Sequence, residues 1–236
     1  HMDQTARMIL LRALPFFGGM PEARLSRLAA VARLERYGPG APVAGPDGAA
    51  DAFHLVVAGR VKIYQMGPDG KEQTLYLLGP GEPFCLCALV DAGAFPGFAA
   101  TLEPSDILVF PAGDLAGAAR DDPAVLFDLL RLMCRRLKEA MGLVESLSLR
   151  ELPARVAVFL LHEAGRSLSG DTVRLGISHR ELAKIVGATP EALSRALKRL
   201  AEAGYIVARG REIALRDRDG LAVLAGWAPG AARGAP

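Results

Sequence analysis

The apolar residues Leu126, Leu130, Met133, Leu137, Ala140, Val144 and Leu147 follow one another in alternating steps of four and three. That is a heptad period kept over three repeats, and it limits the fold more than any other feature of the chain. Arg131, Arg135, Arg136, Lys138 and Glu139 occupy intervening positions, so the segment is a long helix with a narrow apolar seam. Such a stripe is buried either against its own domain or against a second copy. The strict period favours a two-helix coiled coil, and a homodimer is expected. Cys134 lies beside the seam and is read as a packing residue. The helix, placed at 119–149, divides the chain into segments 1–118 and 150–236.

The front segment has the rhythm of short strands. Phe53–Ala58 and Arg60–Tyr64 are separated by Gly59, and Gly67-Pro-Asp-Gly70 is a turn of the right chemistry before Gln73–Leu78. Gly79-Pro-Gly81 turns again, and Asp106–Phe110 closes the run. Many short strands with Gly/Pro turns predict a β-roll or barrel. Ahead of them, Leu25, Leu28, Ala29, Ala32 and Leu34 predict a helix over Met20–Arg36.

The rear segment differs in charge. Residues 1–149 carry 14 Lys/Arg against 17 Asp/Glu, whereas 150–236 carry 14 against 9, so a basic third lies behind an acidic front. A helix is expected from about Leu152 to Ala164, then a Gly/Ser-rich break. Ser178-His-Arg-Glu181 has the spacing of a capping box and starts a helix through Leu182, Ala183 and Val186, which Gly187 ends. Thr189-Pro190 opens a second helix, with Thr189 as N-cap and proline at the first helical position. Its buried face is Leu193, Leu197 and Leu200, and its opposite face carries Glu191, Ser194, Arg195 and Lys198. Two short helices joined by a glycine turn predict a helix-turn-helix whose second helix enters the major groove. Gly204–Arg209, Gly210-Arg211 and Glu212–Leu215 then predict a two-stranded wing that brings Arg209 and Arg211 to phosphates.

Within the second helix, Arg195 suits guanine O6/N7, Glu191 suits cytosine N4, and Ser194 is small enough to admit a base edge. Ser178, Arg180, Thr189 and Lys198 are read as phosphate contacts. Glu191 has an alternative reading, a carboxylate favoured by the helix dipole.

The stretch Ile177–Gly226 resembles the winged helix-turn-helix of the CRP/FNR superfamily of bacterial regulators. The likeness rests on Ser178-x-x-Glu181-Leu-Ala, Gly187-x-Thr189, Glu191-x-x-Ser194-Arg195-x-Leu197 and Asp219–Leu224-Ala-Gly226. It extends over nearly the whole chain and implies an α+β architecture. An N-terminal cyclic-nucleotide-binding-like β-roll (a double-stranded β-helix) is followed by a long dimerisation helix and a C-terminal winged helix-turn-helix. The implied partners are double-stranded DNA, a second copy of the chain and RNA polymerase. Glu191-x-x-Ser194-Arg195 resembles the FNR-branch reading set. The preceding position, arginine in the CRP branch, is Pro190, so the expected half-site is TTGA(T/C) rather than TGTGA.

The sensor end departs from the cyclic-AMP pattern. Members that bind cyclic AMP hold ribose and phosphate with a Gly-Glu pair and a downstream Arg-Ser. The matching places here read Cys85-Leu86 and roughly Phe95-Pro96. No arginine is expected to receive the phosphate, so cyclic AMP is not the expected ligand. The N-terminal cysteine cluster of iron–sulfur members is also missing, since no cysteine precedes residue 85. Cys85 falls where a haem-containing carbon-monoxide sensor of the superfamily keeps its thiolate ligand, and Cys87 where that sensor has histidine. Cys85 is therefore a candidate haem-iron ligand with Cys87 beside it. A small organic ligand, or two merely packed thiols on a strand, are the alternatives. A disulfide between them is not expected, because strand residues two apart lie about 6.6–6.8 Å apart with parallel Cβ vectors. His54 is read as a packed residue.

No Gly-rich phosphate loop, paired catalytic carboxylates, metal-ligand spacing or nucleophile elbow is present, so an enzyme is not expected. An architectural winged-helix protein is the remaining rival. No apolar run reaches the roughly 20 residues of a membrane span, and no signal peptide is recognised. With three cysteines in the chain, a cytoplasmic protein with reduced thiols is expected. His1-Met2 reads as a tag remnant.

Overall fold

The computed structural model describes residues 3–13, 17–46, 52–86, 96–121, 123–166 and 171–227. The chain forms two compact units, 1–138 and 139–236, with the boundary inside one long helix. The first unit opens with α1 (Gln4–Ala13) and α2 (Glu22–Val31). Strands β1 (Arg33–Tyr37), β2 (Pro42–Ala44), β3 (Ala52–Ala58), β4 (Val61–Met66) and β5 (Glu72–Leu78) follow. Then come β6 (Pro83–Phe84), β7 (Phe98–Thr101), β8 (Ser105–Pro111), α3 (Ala112–Asp121) and most of α4 (Pro123–Leu149). The second unit holds the end of α4, α5 (Leu152–Arg166), β9 (Thr172–Arg174), α6 (His179–Ile185) and α7 (Pro190–Glu202). It closes with β10 (Ile206–Arg209), β11 (Glu212–Leu215) and α8 (Arg218–Leu224).

The β-roll is two four-stranded antiparallel sheets, ordered β1-β8-β3-β6 and β2-β7-β4-β5. Strands β3 and β8 are mostly apolar, interrupted by His54 in one and by Ser105 and Asp106 in the other, because both of their faces are covered. Val56, Ile107 and Val109 enter one core with Val61, Ile63, Leu78, Phe84 and Ala99. Their neighbours Phe53, Leu55, Leu108 and Phe110 enter a second core with Leu11 of α1, Leu25 and Leu28 of α2, and Leu129 of α4. Alternation along each strand thus feeds two cores. Gly59 makes the β3–β4 turn at φ +87°, where a Cβ would strike Ser105 and the Pro104 carbonyl.

The helix expected over Met20–Arg36 is shorter than its spacing suggested. α2 ends at Val31, and Arg33–Tyr37 pair antiparallel with Ser105–Val109 as β1. Leu34 continues the helical spacing by coincidence; its backbone bonds go to β8, so pairing with the sheet overrides the local pattern. The elements α1, α3, β2, β6 and β7 had no signal strong enough to be read from the sequence.

Cys85 is not on a strand. β6 ends at Phe84, and Cys85 has φ +59°, the one positive value among described non-glycine residues. Its thiol is buried in the inter-sheet core. Cys87 lies outside the described residues. The position resembles the glycine of the family's Gly-Glu pair, and the backbone here keeps a glycine-like conformation with a cysteine in it.

Along α4, one stripe is spent on the first unit, with Leu129 and Leu132 buried at 9% and 4% exposure. The heptad residues lie elsewhere on the helix. Leu126, Leu130, Met133, Leu137 and Val144 are 45–65% exposed, and Ala140 and Leu147 are half-buried. Cys134, expected to be packed, is exposed within the chain.

In the second unit α5 packs on α7 and α8. Val156, Ala157, Leu160 and Leu161 are buried, as are Leu182, Leu193, Leu200, Ile213 and Leu221. The wing has three strands rather than the expected two, ordered β10-β11-β9, because Thr172–Arg174 pair with Glu212–Ala214. Among the described residues no helix is long and apolar enough to cross a membrane.

A side chain in the left-handed region costs roughly 1–2 kcal/mol, and a β-branched one is a genuine outlier there. Cys85→Gly should therefore stay within about 1 kcal/mol of the parent, as relieved strain offsets lost burial. Cys85→Val should lose about 2 kcal/mol or more. Urea unfolding checks this, and equal losses in both variants would show that side-chain volume, not backbone conformation, governs the position.

Candidate nucleic-acid interface and sensor cleft

Two caps and a glycine fix the helix-turn-helix. The Ser178 hydroxyl accepts from the Glu181 N–H at 3.2 Å and starts α6, while the Glu181 carboxylate accepts from Lys184 at 3.0 Å. After Val186, Gly187 turns at φ +63°. Thr189 then caps α7 by accepting from the Ala192 N–H at 3.2 Å, with Pro190 in the first turn. Leu193, Ala196, Leu197 and Leu200 bury one face of α7, and that burial fixes the rotation of the helix. Glu191, Ser194, Arg195 and Lys198 fall at i, i+3, i+4 and i+7 on the opposite face, and all four are exposed.

The Glu191 carboxyl sits below the ordinary glutamate value. Its own backbone N–H contributes most, then the Thr189 hydroxyl; desolvation opposes them, and the Arg195 charge makes the least contribution. The lowering agrees with the helix-terminal reading of Glu191, which leaves its carboxylate exposed. Thr189, read from sequence as a phosphate contact, has its hydroxyl engaged in this cap. Ser178 is half-buried with its oxygen in the α6 cap, whereas Arg180 is exposed on α6. Lys198 makes an exposed 3.7 Å pair with Glu202, which is worth little.

At the wing, Arg209 pairs in register with Glu212, leaving Gly210-Arg211 as a two-residue loop. Gly210 has φ +60° at the first loop position, as a type II′ turn requires. Arg209 and Arg211 are exposed there. The added strand β9 braces the loop, since the Leu175 N–H donates to the Arg211 carbonyl at 2.8 Å. Arg174 holds the Glu212 carboxylate at 2.6 Å, which masks the acidic neighbour of the wing tip.

In the first unit a cleft of about 290 Å³ opens beside Cys85. Ile63, Leu75, Leu78, Phe84, Leu86 and Met133 make its wall mostly apolar. Arg136 of α4 also lines it, contrary to the expectation that no arginine would. Its guanidinium lies over the Tyr76 ring at 5.2 Å and pairs with Glu82 at 3.3 Å, and the Tyr76 hydroxyl donates to the Arg136 carbonyl. Arg136 and Glu82 are 54 positions apart, and no local pattern in the sequence pairs them. Phe95 and Cys87 lie outside the described residues. His54 is buried and stacks on Phe84 at 4.9 Å, in keeping with a packed residue.

A capped helix-turn-helix with a basic wing, in a chain that also carries a β-roll of the cyclic-nucleotide-binding type, defines a DNA-binding transcription regulator. Comparison with known proteins agrees. A cyclic nucleotide-binding domain model matches residues 34–122 and a Crp-like helix-turn-helix domain model matches 154–224. The chain is 32% identical over 196 residues to the "Cyclic AMP receptor protein" of Thermus thermophilus, covering 83% of this chain and 89% of the relative. It is 30% identical over 176 residues to the "CRP-like cAMP-activated global transcriptional regulator" of Mycobacterium tuberculosis, covering 73% and 79%. Among solved structures, FixK2 from Bradyrhizobium japonicum superposes with a TM-score of 0.74 at 28% identity, covering 82% of this chain and 97% of that one. The chain belongs to the CRP/FNR superfamily of bacterial transcription regulators.

The lowered Glu191 value has a sign. A depressed carboxyl stabilises the fold above its ordinary value of 4.5, and that contribution is lost as pH falls through the lower folded value. Carboxyl-carbon NMR titration should place Glu191 below an ordinary glutamate, and Thr189→Ala should move it back up. An unmoved midpoint in that variant would remove the hydroxyl from the account.

Proposed function

We propose that the protein is a homodimeric regulator that reads an inverted-repeat TTGA(T/C) operator and is switched by a small ligand in the β-roll. The observation that carries this reading is the exposed Glu191, Ser194, Arg195 set on a helix whose opposite face is fully buried. Arg195 donates a bidentate pair to guanine while Glu191 accepts from the paired cytosine. Pro190 has no side-chain donor for a further guanine, which favours TTGA over TGTGA. Lys198, Arg180, Arg209 and Arg211 supply charge to the phosphates and fix register.

The exposed heptad stripe supports the dimer. Covering five half-exposed large apolar side chains contributes on the order of 1 kcal/mol each per protomer before association costs. A two-fold dimer then sets two half-sites about one helical turn apart. In the switch, a ligand that favours one packing of the paired α4 helices re-aims the two recognition helices. RNA polymerase is the expected protein partner, and the cytoplasm the expected compartment.

For the effector, a small organic molecule is favoured over haem. A mostly apolar cleft of about 290 Å³ lies near the lower limit of the roughly 300–1,000 Å³ of drug-sized sites, which suits a small organic molecule. The two relatives' names refer to cyclic AMP. Against that ligand here, Leu86 lines the cleft where an acidic residue holds the ribose in cyclic-AMP-binding members.

Selection from random DNA should recover inverted TTGA(T/C) repeats. Arg195→Ala should lose about 1–3 kcal/mol and relax choice at the guanine. Lys198→Ala should instead weaken all sequences alike and flatten the salt dependence. Recovery of TGTGA sites would show the reading set misplaced, and no preferred site would favour an architectural protein.

Leu137→Glu places like charges across the seam and should give monomers with little operator affinity. Light scattering on wild type at micromolar concentration should give a dimer; a monomer would show that the seam is not the dimer interface.

A further inference from the structure

We propose that the β-roll cleft is a receptor for a small organic monocarboxylate with an apolar body, whose carboxylate takes Arg136 from Glu82. This rests on the reading of the cleft as the effector site, and names the chemistry of its ligand.

The cleft combines two things that rarely meet without purpose. Its wall is apolar, with Ile63, Leu78, Phe84, Leu86 and Met133 facing the space. Set into that wall is the guanidinium of Arg136, whose side chain is 13% exposed. A buried guanidinium requires an anion, and an uncharged apolar ligand would gain nothing from it. At present the anion is Glu82. Its distance of 3.3 Å exceeds the roughly 2.7–2.9 Å of a close charge-assisted bond. The guanidinium carbon lies 5.2 Å from the Tyr76 ring centroid, an arrangement that leaves its N–H groups to an anion. A ligand of this class fills the apolar space with its body and offers Arg136 a two-point partner.

The exchange has a mechanical consequence. Glu82 uses one oxygen on Arg136 and the other on the Gly79 N–H, at 2.9 Å, so it ties the β5–β6 turn to α4. Displacing it from Arg136 would remove this tie between α4 and the turn while leaving the turn's own bond intact. Met133, which the ligand would touch, is also a seam residue, and occupancy therefore bears on the face that the partner helix covers. Glu82 thus acts as a built-in competitor that holds the empty state.

A cyclic nucleotide shares the negative charge but not the fit. Its ribose hydroxyls would face Leu86, and their hydrogen bonds to water would be lost without replacement.

Calorimetry on the full chain with phenylacetate and hexanoate, their amides phenylacetamide and hexanamide, and cyclic AMP tests the proposal. At least one carboxylate should bind with a millimolar or lower dissociation constant, and its amide about tenfold or more weakly. Arg136→Met should erase that difference, and Glu82→Gln should tighten the carboxylate several-fold by removing the competing anion. Glu82→Gln keeps the guanidinium and its stacking, so it remains informative if Arg136→Met fails to fold. The proposal is overturned if neither carboxylate binds, if acid and amide bind alike, if Glu82→Gln weakens the acid, or if cyclic AMP binds more tightly than both acids. Operator affinity is measured in parallel. Arg136-dependent binding of the acid without any change in DNA affinity would uphold the ligand assignment and overturn the switch.

Discussion

Helix α4 divides one surface between a stripe buried in the first unit and an exposed apolar seam, and the rest of that unit depends on the division. Leu129 and Leu132 are buried within the unit, and Arg136 continues that side toward Tyr76 and Glu82. The heptad residues Leu126, Leu130, Met133, Leu137 and Val144 run alongside this stripe and are 45–65% exposed. A helix of 3.6 residues per turn can keep two such stripes apart only if each is narrow. That explains why charged residues fill so many of the remaining positions, and why the seam lacks the broad apolar face of an ordinary core helix. Met133 belongs to both sets, since it lies in the seam and also lines the cleft. Any occupant of the cleft therefore meets the helix at the residue where its two duties overlap.

Much of the second unit was legible because its signals are local. Ser178, Gly187, Thr189 and Pro190 each act within a turn of where they stand, and the structure places each in the geometry its chemistry suggests. The third wing strand was not legible. Thr172–Arg174 is too short to show a period, and it becomes a strand only because Glu212–Ala214 offer it partners some 40 residues later. The same reason hid β1, whose residues continue a helical spacing that the β8 ladder then overrides. Short elements stabilised by distant partners leave little trace in a window of ten residues, whereas caps and seams do.

The reading helix shows how a buried face can specify an exposed one. Leu193, Ala196, Leu197 and Leu200 fix its rotation, so the direction of Glu191, Ser194 and Arg195 follows from packing they take no part in. The cap supplies the second constraint, because hydrogen bonds from the Glu191 N–H and Thr189 hold that carboxylate at the helix start and lower its pKa. An acceptor and a bidentate donor are presented together, and a G·C pair offers their complements on its two bases. Neither residue alone distinguishes base recognition from helix-end electrostatics; the proposed base reading rests on the pair.

Beside the cleft, Cys85 takes the left-handed backbone that a glycine would adopt freely, at the place that resembles the glycine of the family's Gly-Glu pair. Leu86, the next residue, lines the cleft with methyl groups where a ribose-binding acid is absent. Charge has not vanished from the cleft; it enters from the other side, on α4, as Arg136. A guanidinium on the strand side would pin a ligand to the β-roll alone. In the proposed carboxylate receptor, Arg136 on α4 would tie the ligand's anionic group to the element that bears the seam, a route the Glu82 pair occupies in the empty cleft. The guanidinium enters from α4, away from the strand-side positions where a phosphate site of this family usually lies, so inspection of Cys85-Leu86 alone did not reveal it.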